Sequence, residues 1–164
     1  MKLAVLVVED EAPVRAALAR DLASFASTVR IEMAEDVEDA KAVVEEITAD
    51  GDVVALMLSD HRLPGMSGVD YLIECASDPK LSRARKVLVT GQAGHEDTIR
   101  AINLAHINRY IAKPWHIDVL QETVRDQLTD FVLDNGINPL PYLQVLDSAR
   151  AMDALRQSTD GWGM

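Results

Sequence analysis

The chain of 164 residues has a single cysteine, Cys75, which excludes an internal disulfide, suits a reducing compartment and reads as a core filler on a helix. Basic residues are few: 16 Lys and Arg face 27 Asp and Glu, a net charge of −11, and no stretch clusters them. Neutralising a phosphate backbone needs such clusters, so direct nucleic-acid binding is not expected. No apolar run reaches membrane-spanning length. The apolar start, Met1 to Val8, meets Glu9-Asp10-Glu11 at once, too short for a signal-peptide core with a cleavage site, so a soluble cytoplasmic protein is expected. No phosphate-cradling P-loop occurs, and Gly65 and Gly68 read as turn glycines. The histidines at 61, 95, 106 and 116 have no metal-ligand spacing and read as surface or capping residues. Trp115 and Trp162 lie too far apart to form a stacking platform.

What is present is a series of short apolar runs, each closed by polar residues. Val53 to Leu58 is wholly apolar and stops at Asp60, just before the turn His61-Arg62-Leu63-Pro64-Gly65. Such a run reads as a strand buried on both faces, as in a parallel sheet covered by helices. Leu3 to Val8 is a second central strand, ending at Glu9-Asp10. Val29 to Met33 alternates and reads as an edge strand, while Lys86 to Val89 and Arg109 to Ala112 end at Thr90-Gly91 and Lys113-Pro114. Helical stripes lie between them: Val14, Leu18, Leu22 and Phe25 after Pro13; Val37, Ala40, Val44 and Ile47 within Asp36 to Ala49; Val69, Leu72, Ile73 and Ala76 after Ser67. Ser67 and Asp70 have capping-box spacing. A helix is expected at about Glu96 to Leu104, and another along Ile117, Leu120, Val124, Leu128 and Phe131.

Alternating strands and helices predict an α/β, doubly wound fold with a five-stranded parallel sheet in the flavodoxin-like order 2-1-3-4-5. In that order strands one and three are neighbours. Glu9, Asp10 and Asp60 would then meet at one sheet edge, with Thr90 and Lys113 on the next strand ends. An acid after a strand is, alone, only a solvated loop residue; four strands sending polar groups to one edge is a constellation. Three carboxylates brought together repel unless a cation joins them. Oxygen ligands with room for water favour Mg²⁺. Lys113 adds a point charge, Thr90 a hydroxyl for an oxyanion, and Asp60 a nucleophile able to form an aspartyl-phosphate.

Four stretches, Val7 to Glu11, Leu58 to Gly68, Val87 to Ala93 and Tyr110 to Trp115, are identified as similar to response-regulator receiver domains of two-component signalling. They come in family order, and the resemblance covers about residues 3 to 131. It implies Asp60 as phosphoacceptor, Mg²⁺ held by Glu9, Asp10, Asp60 and the backbone carbonyl of Arg62, and Thr90 with Lys113 on the phosphoryl group. It also implies that Tyr110 swings inward when Thr90 moves, and that Lys113-Pro114 is cis; simple core filler is the alternative for Tyr110. Two departures stand out. Glu9 replaces the commoner aspartate, and Arg62 is bulky and positive, placed to reach Glu9 or shield the phosphoryl group. The fifty residues from Asp10 to Asp60 are a little more than usual, the surplus falling in the turn before Val53.

The expected division is a receiver domain over 1–132 and, over 133–164, a linker and C-terminal amphipathic helix with no separate output domain. After the turn residues at 134–139, Pro141 opens that helix, with Tyr142, Val145, Leu146, Ala149, Met152 and Leu155 on one side. It serves either as a dimer or partner helix or as a lid packed on its own domain. From Trp115 onward eight acids face three arginines, which suits no DNA-reading module. The expected function is a signalling switch rather than an enzyme, phosphorylated by a histidine kinase or phosphotransfer protein. It would act on an output partner, or dimerise through the C-terminal helix or the face formed by 96–104, 109–112 and the helix from 117. The motifs around Thr90, Ala101-Ile102-Asn103 and Lys113 also resemble receivers ahead of cyclic-dinucleotide hydrolase or transcription-activator modules. A degenerate, phosphorylation-independent receiver is the alternative. A haloacid-dehalogenase-like phosphatase would want an aspartate where Arg62 stands, and an FMN carrier would want a phosphate loop.

Overall fold

In a computed structural model, described over residues 1–91 and 94–158, five parallel strands form one sheet in the order β2-β1-β3-β4-β5. The strands are β1 (Leu3–Val8), β2 (Arg30–Ala34), β3 (Val53–Ser59), β4 (Arg85–Thr90) and β5 (Arg109–Ala112). The helices are α1 (Ala12–Asp21), α2 (Val37–Ala49), α3 (Gly68–Ala76), α4 (His95–Leu104), α5 (Ile117–Asp134) and α6 (Ser148–Gln157). This is the expected doubly wound fold with a C-terminal helix. Gln92, Ala93 and Trp162, singled out in the sequence, lie outside the described residues.

Strand β1 is buried throughout, and its period of two divides it between two cores. Leu3, Val5 and Val7 join α1 and α5 residues such as Leu18, Leu120, Val124 and Leu128. Ala4, Leu6 and Val8 join Val44 and Ile47 of α2, Leu72 of α3 and Ala101 of α4. Cys75 is buried in this second core. Helix ends follow local chemistry: Asp36, Ser67 and Asp147 accept from the amides of Asp39, Asp70 and Arg150. The Ser67 box is not reciprocal, because the Asp70 carboxylate is taken by Arg100 at 2.9 Å. His116 caps α5 through Nδ1, accepting from the Asp118 amide at 3.3 Å. Gly51, at φ 79°, makes the turn into β3, and Arg30 holds that turn by ion pairs to Asp50 and Asp52.

The register of β3 carries one irregularity. Ala4 pairs with Val54 but Val5 with Leu56, so Ala55 is an extra residue and the pairing phase shifts by one. A one-residue slip exchanges the two faces of a strand. This bulge therefore sets which β3 residues stand level with β1 at its end, where Val8 pairs with Ser59.

The C-terminal segment departs from the expected single helix. Leu140–Val145 is 3₁₀, Leu146 is extended (ψ 165°), and α6 starts only after the Asp147 cap. Tyr142, Val145, Leu146 and Ala151 are buried in the α1–α5 core, whereas Ala149 is exposed and Met152 is 41% exposed. Two Pro residues near its start and a capping Asp in its middle break a stripe that would suit one continuous helix.

Candidate functional site

The Asp60 amide donates to the Val8 carbonyl at 3.0 Å and the Glu9 amide to the Ala34 carbonyl at 2.9 Å, each extending its sheet ladder by one bond. Carboxylate oxygens of Glu9, Asp10 and Asp60 thereby lie within 4.8 Å of one another. Lys113, directly after β5, donates from Nζ to Asp60 Oδ2 at 3.0 Å and also to Glu9 Oε1. Thr90, the last residue of β4, lies beside the Asp60 carboxylate and favours its charged form. The Tyr110 hydroxyl donates to the Thr90 carbonyl at 3.0 Å. The side chains expected at one sheet edge are therefore in one cluster, and the Lys113-Pro114 peptide is cis.

Burial divides the three acids: Glu9 is 1% exposed and Asp60 6%, while Asp10 is open to solvent. Burial pushes Glu9 up to about 7, against the hydrogen bond from Lys113, and the nearby Asp60 charge adds to the rise. Burial also opposes charge on Asp60, but hydrogen bonds from Thr90 and Lys113 outweigh it and hold that carboxyl below its usual range. Burial acts against the Lys113 ammonium too, yet its bonds to Glu9 and Asp60 raise it on balance. Near neutral pH the cluster therefore carries an ionised Asp60 and a cationic Lys113, beside a Glu9 that holds a proton far more readily than an ordinary glutamate. Among the described residues Glu9 Oε2 is buried with no hydrogen-bond partner. An orphaned carboxylate oxygen beside two further acids, all hard oxygen donors with one face open, fits Mg²⁺.

Two alternatives that the sequence left open are narrowed by the structure. The Arg62 side chain is exposed and, among the described residues, forms no ion pair with Glu9, whose cation is Lys113. Tyr110 is 43% exposed and hydrogen-bonded, so it is not core filler.

A model of the response regulator receiver domain matches residues 5–125. The chain belongs to the response-regulator receiver family. It is 34% identical over 122 residues to the hydrogenase transcriptional regulatory protein HoxA of Cupriavidus necator, covering 74% of this chain but 23% of HoxA. The chain thus spans about a quarter of the length of the HoxA relatives it matches. It is 28% identical over 130 residues to a chemotaxis protein CheY homolog of Campylobacter jejuni, covering 78% of this chain and 92% of that one. Among solved structures, a CheY-like receiver protein of Methanospirillum hungatei matches with TM-score 0.70 at 23% identity, over 82% of this chain and 99% of that chain. The receiver domain of an HD domain-containing protein of Pseudomonas fluorescens matches with TM-score 0.71 at 22% identity, over 82% and 92%. At those identities the structures speak for the fold alone.

Three residues of this receiver domain escaped sequence reasoning. Arg15 donates to the Glu9 carbonyl at 2.9 Å and the Asp10 carbonyl at 3.3 Å, pinning the loop between β1 and α1. Its i+5 spacing from Asp10, on the first turn of α1, was the available signal. Gly65 is a turn glycine at φ 78°, but Gly68 is not: it opens α3 directly beneath Asp60. A Cβ there would sit 1.7 Å from the Asp60 carbonyl oxygen. His61 is no plain surface residue either, since its Nε2 lies 3.0 Å from Asp97 Oδ2 of α4. Nothing in the spacing of 61 and 97 announces that bond. Among the described residues no helix is long and apolar enough to cross a membrane.

Proposed function

We propose that Asp60 is the phosphoacceptor of a two-component switch. What carries this reading is one buried carboxylate held ionised by Thr90 and Lys113 within reach of two further acids. An Asp60 oxygen attacks the phosphorus of a phosphohistidine on a histidine kinase or phosphotransfer protein. The P–N bond breaks and its electron pair stays on the donor imidazole. Glu9, Asp10, Asp60 and the Arg62 carbonyl would hold Mg²⁺, which when bound offsets charge on the acceptor and the transferring group. Lys113 keeps its ammonium beside Asp60, and the Thr90 hydroxyl turns from the carboxylate to a phosphoryl oxygen. The Tyr110 hydroxyl, bonded to the Thr90 carbonyl, passes that shift to β5.

The output surface of this reading is α4–β5–α5. Ile99, Ile102, Leu104, Tyr110, Ile117 and Val119 are each more than two-fifths exposed there, a patch that suits an output partner or a second copy. The similarity to HoxA, a transcriptional regulator, supports an output role in a larger assembly. Intact mass after incubation with acetyl phosphate and Mg²⁺ tests the proposal. An adduct of about 80 Da is expected in the wild type, absent in Asp60→Asn and after chelation, as aspartyl-phosphate chemistry requires. A wild-type chain that never gains this mass would be a phosphorylation-independent interaction module instead.

A further inference from the structure

His61 stands immediately after Asp60 and is bonded at both ends. Its amide donates to Asp60 Oδ1 at 2.7 Å, and its imidazole Nε2 meets Asp97 Oδ2 at 3.0 Å in the first turn of α4. Asp97 is in turn 3.5 Å from Arg100, which donates to Asp70 in the first turn of α3 at 2.9 Å. A continuous chain of hydrogen bonds thus runs from the acceptor carboxylate to the N-terminal turns of two helices. Its weak point is the ring. Among the described residues His61 Nδ1 is buried with no partner, so with Nε2–H donating to Asp97 the other nitrogen is a desolvated lone pair. A buried polar atom left unpaired costs free energy that another arrangement of the loop would recover. There is room for that arrangement, because a hollow of about 570 Å³ opens beside the ring, lined by His61, Arg62, Ser67, Gly94 and Asp97 among others.

We propose that His61 is a positioning residue that latches α4 in the unphosphorylated protein, and that phosphorylation of Asp60 breaks its bond to Asp97. This rests on the phosphoacceptor reading. The amide of His61 holds Asp60 Oδ1, so a phosphoryl group on the carboxylate changes the charge and position of that acceptor. The backbone carrying the ring shifts with it, while Asp97 stays fixed to Arg100. The latch selects the resting state and opposes the activated one, so its removal shifts the population toward activation without any phosphate.

Hydrogen exchange of the α4 amides, with and without beryllofluoride and Mg²⁺, tests this in the full chain, with intact mass after acetyl phosphate run in parallel. In the wild type, beryllofluoride is expected to speed α4 exchange. His61→Ala and Asp97→Asn are expected to speed it roughly tenfold without beryllofluoride, the size of one hydrogen bond to a charged acceptor, and to narrow the response to it. His61→Gln, which keeps an N–H donor, restores most of the protection. The double variant does no more than either single one. If α4 exchange is unchanged in both single variants, or the gap on adding beryllofluoride stays at its wild-type size, the latch is refuted while an adduct of about 80 Da still upholds Asp60 as acceptor. Absence of that adduct in the wild type removes both.

Discussion

Glu9 is the residue on which the pH behaviour of the metal-free protein turns. Its ordinary value of 4.5 is raised to about 7 by burial, so between those values the folded chain keeps a proton that the unfolded chain has lost. Stability from this group is full below 4.5 and declines as pH rises to about 7. Asp21, Asp52, Asp60 and Asp70 are all lowered from 3.8, so their contributions change below that window. Urea midpoints of the metal-free protein should therefore fall from pH 5 to pH 7, and Glu9→Gln should flatten the decline; a midpoint rising in the wild type would contradict the assignment. Because Mg²⁺ requires ionised ligands, it should raise the midpoint more at pH 8 than at pH 5. The methylene that Glu9 has over an aspartate matters here, since the longer side chain carries its carboxyl to Lys113 and buries one oxygen without a partner among the described residues.

At the scale of elements, the loop after β5 is joined to α1 by Trp115. Its indole N–H donates to Asp21 Oδ2 at 2.8 Å, and Gln121 of α5 donates to the Asp21 carbonyl at 2.9 Å. Asp21 is itself buried, and its other carboxylate partner, Arg20, is largely exposed. Trp115→Phe keeps the aromatic body but strands that buried oxygen, so urea denaturation should register a loss of about 1–3 kcal/mol. A loss well below 1 kcal/mol would mean that solvent replaces the indole and the tie is incidental. The same segment positions Lys113, two residues before Trp115 and bonded to both buried acids.

Over the whole molecule, the residues after α5 complete the core rather than stand beside it. Tyr142, Val145 and Leu146 pack with Leu3, Phe25 and Phe131, and the Tyr142 hydroxyl is 3.4 Å from the Met1 carbonyl. The Asp147 amide donates to Thr129 Oγ1 at 2.8 Å, and Arg150 pairs with Asp130 at 2.6 Å. Each large apolar side chain so buried stabilises by roughly 1.5–3 kcal/mol, less the entropy of ordering the segment. Truncation after Gly136 should therefore cost roughly 3 kcal/mol or more, read as a lower urea midpoint with increased dye binding to exposed apolar surface. An unchanged midpoint would show that the segment only rests on a receiver domain already complete.

The amino-acid sequence by itself determined the number, kind and order of the core strands and helices, because runs such as Leu3–Val8 and stripes such as Leu120-Val124-Leu128 carry their own period. It determined the edge where the acids, Thr90 and Lys113 gather, because each directly ends a strand. It did not determine the phase of β3: a strand apolar on both faces has no pattern to show that Ala55 is extra. Nor did it determine the bonds from His61 to Asp97 and from Trp115 to Asp21. Those were decided by tertiary structure, where partners remote in the chain are chosen by shape and by the need to satisfy buried polar atoms.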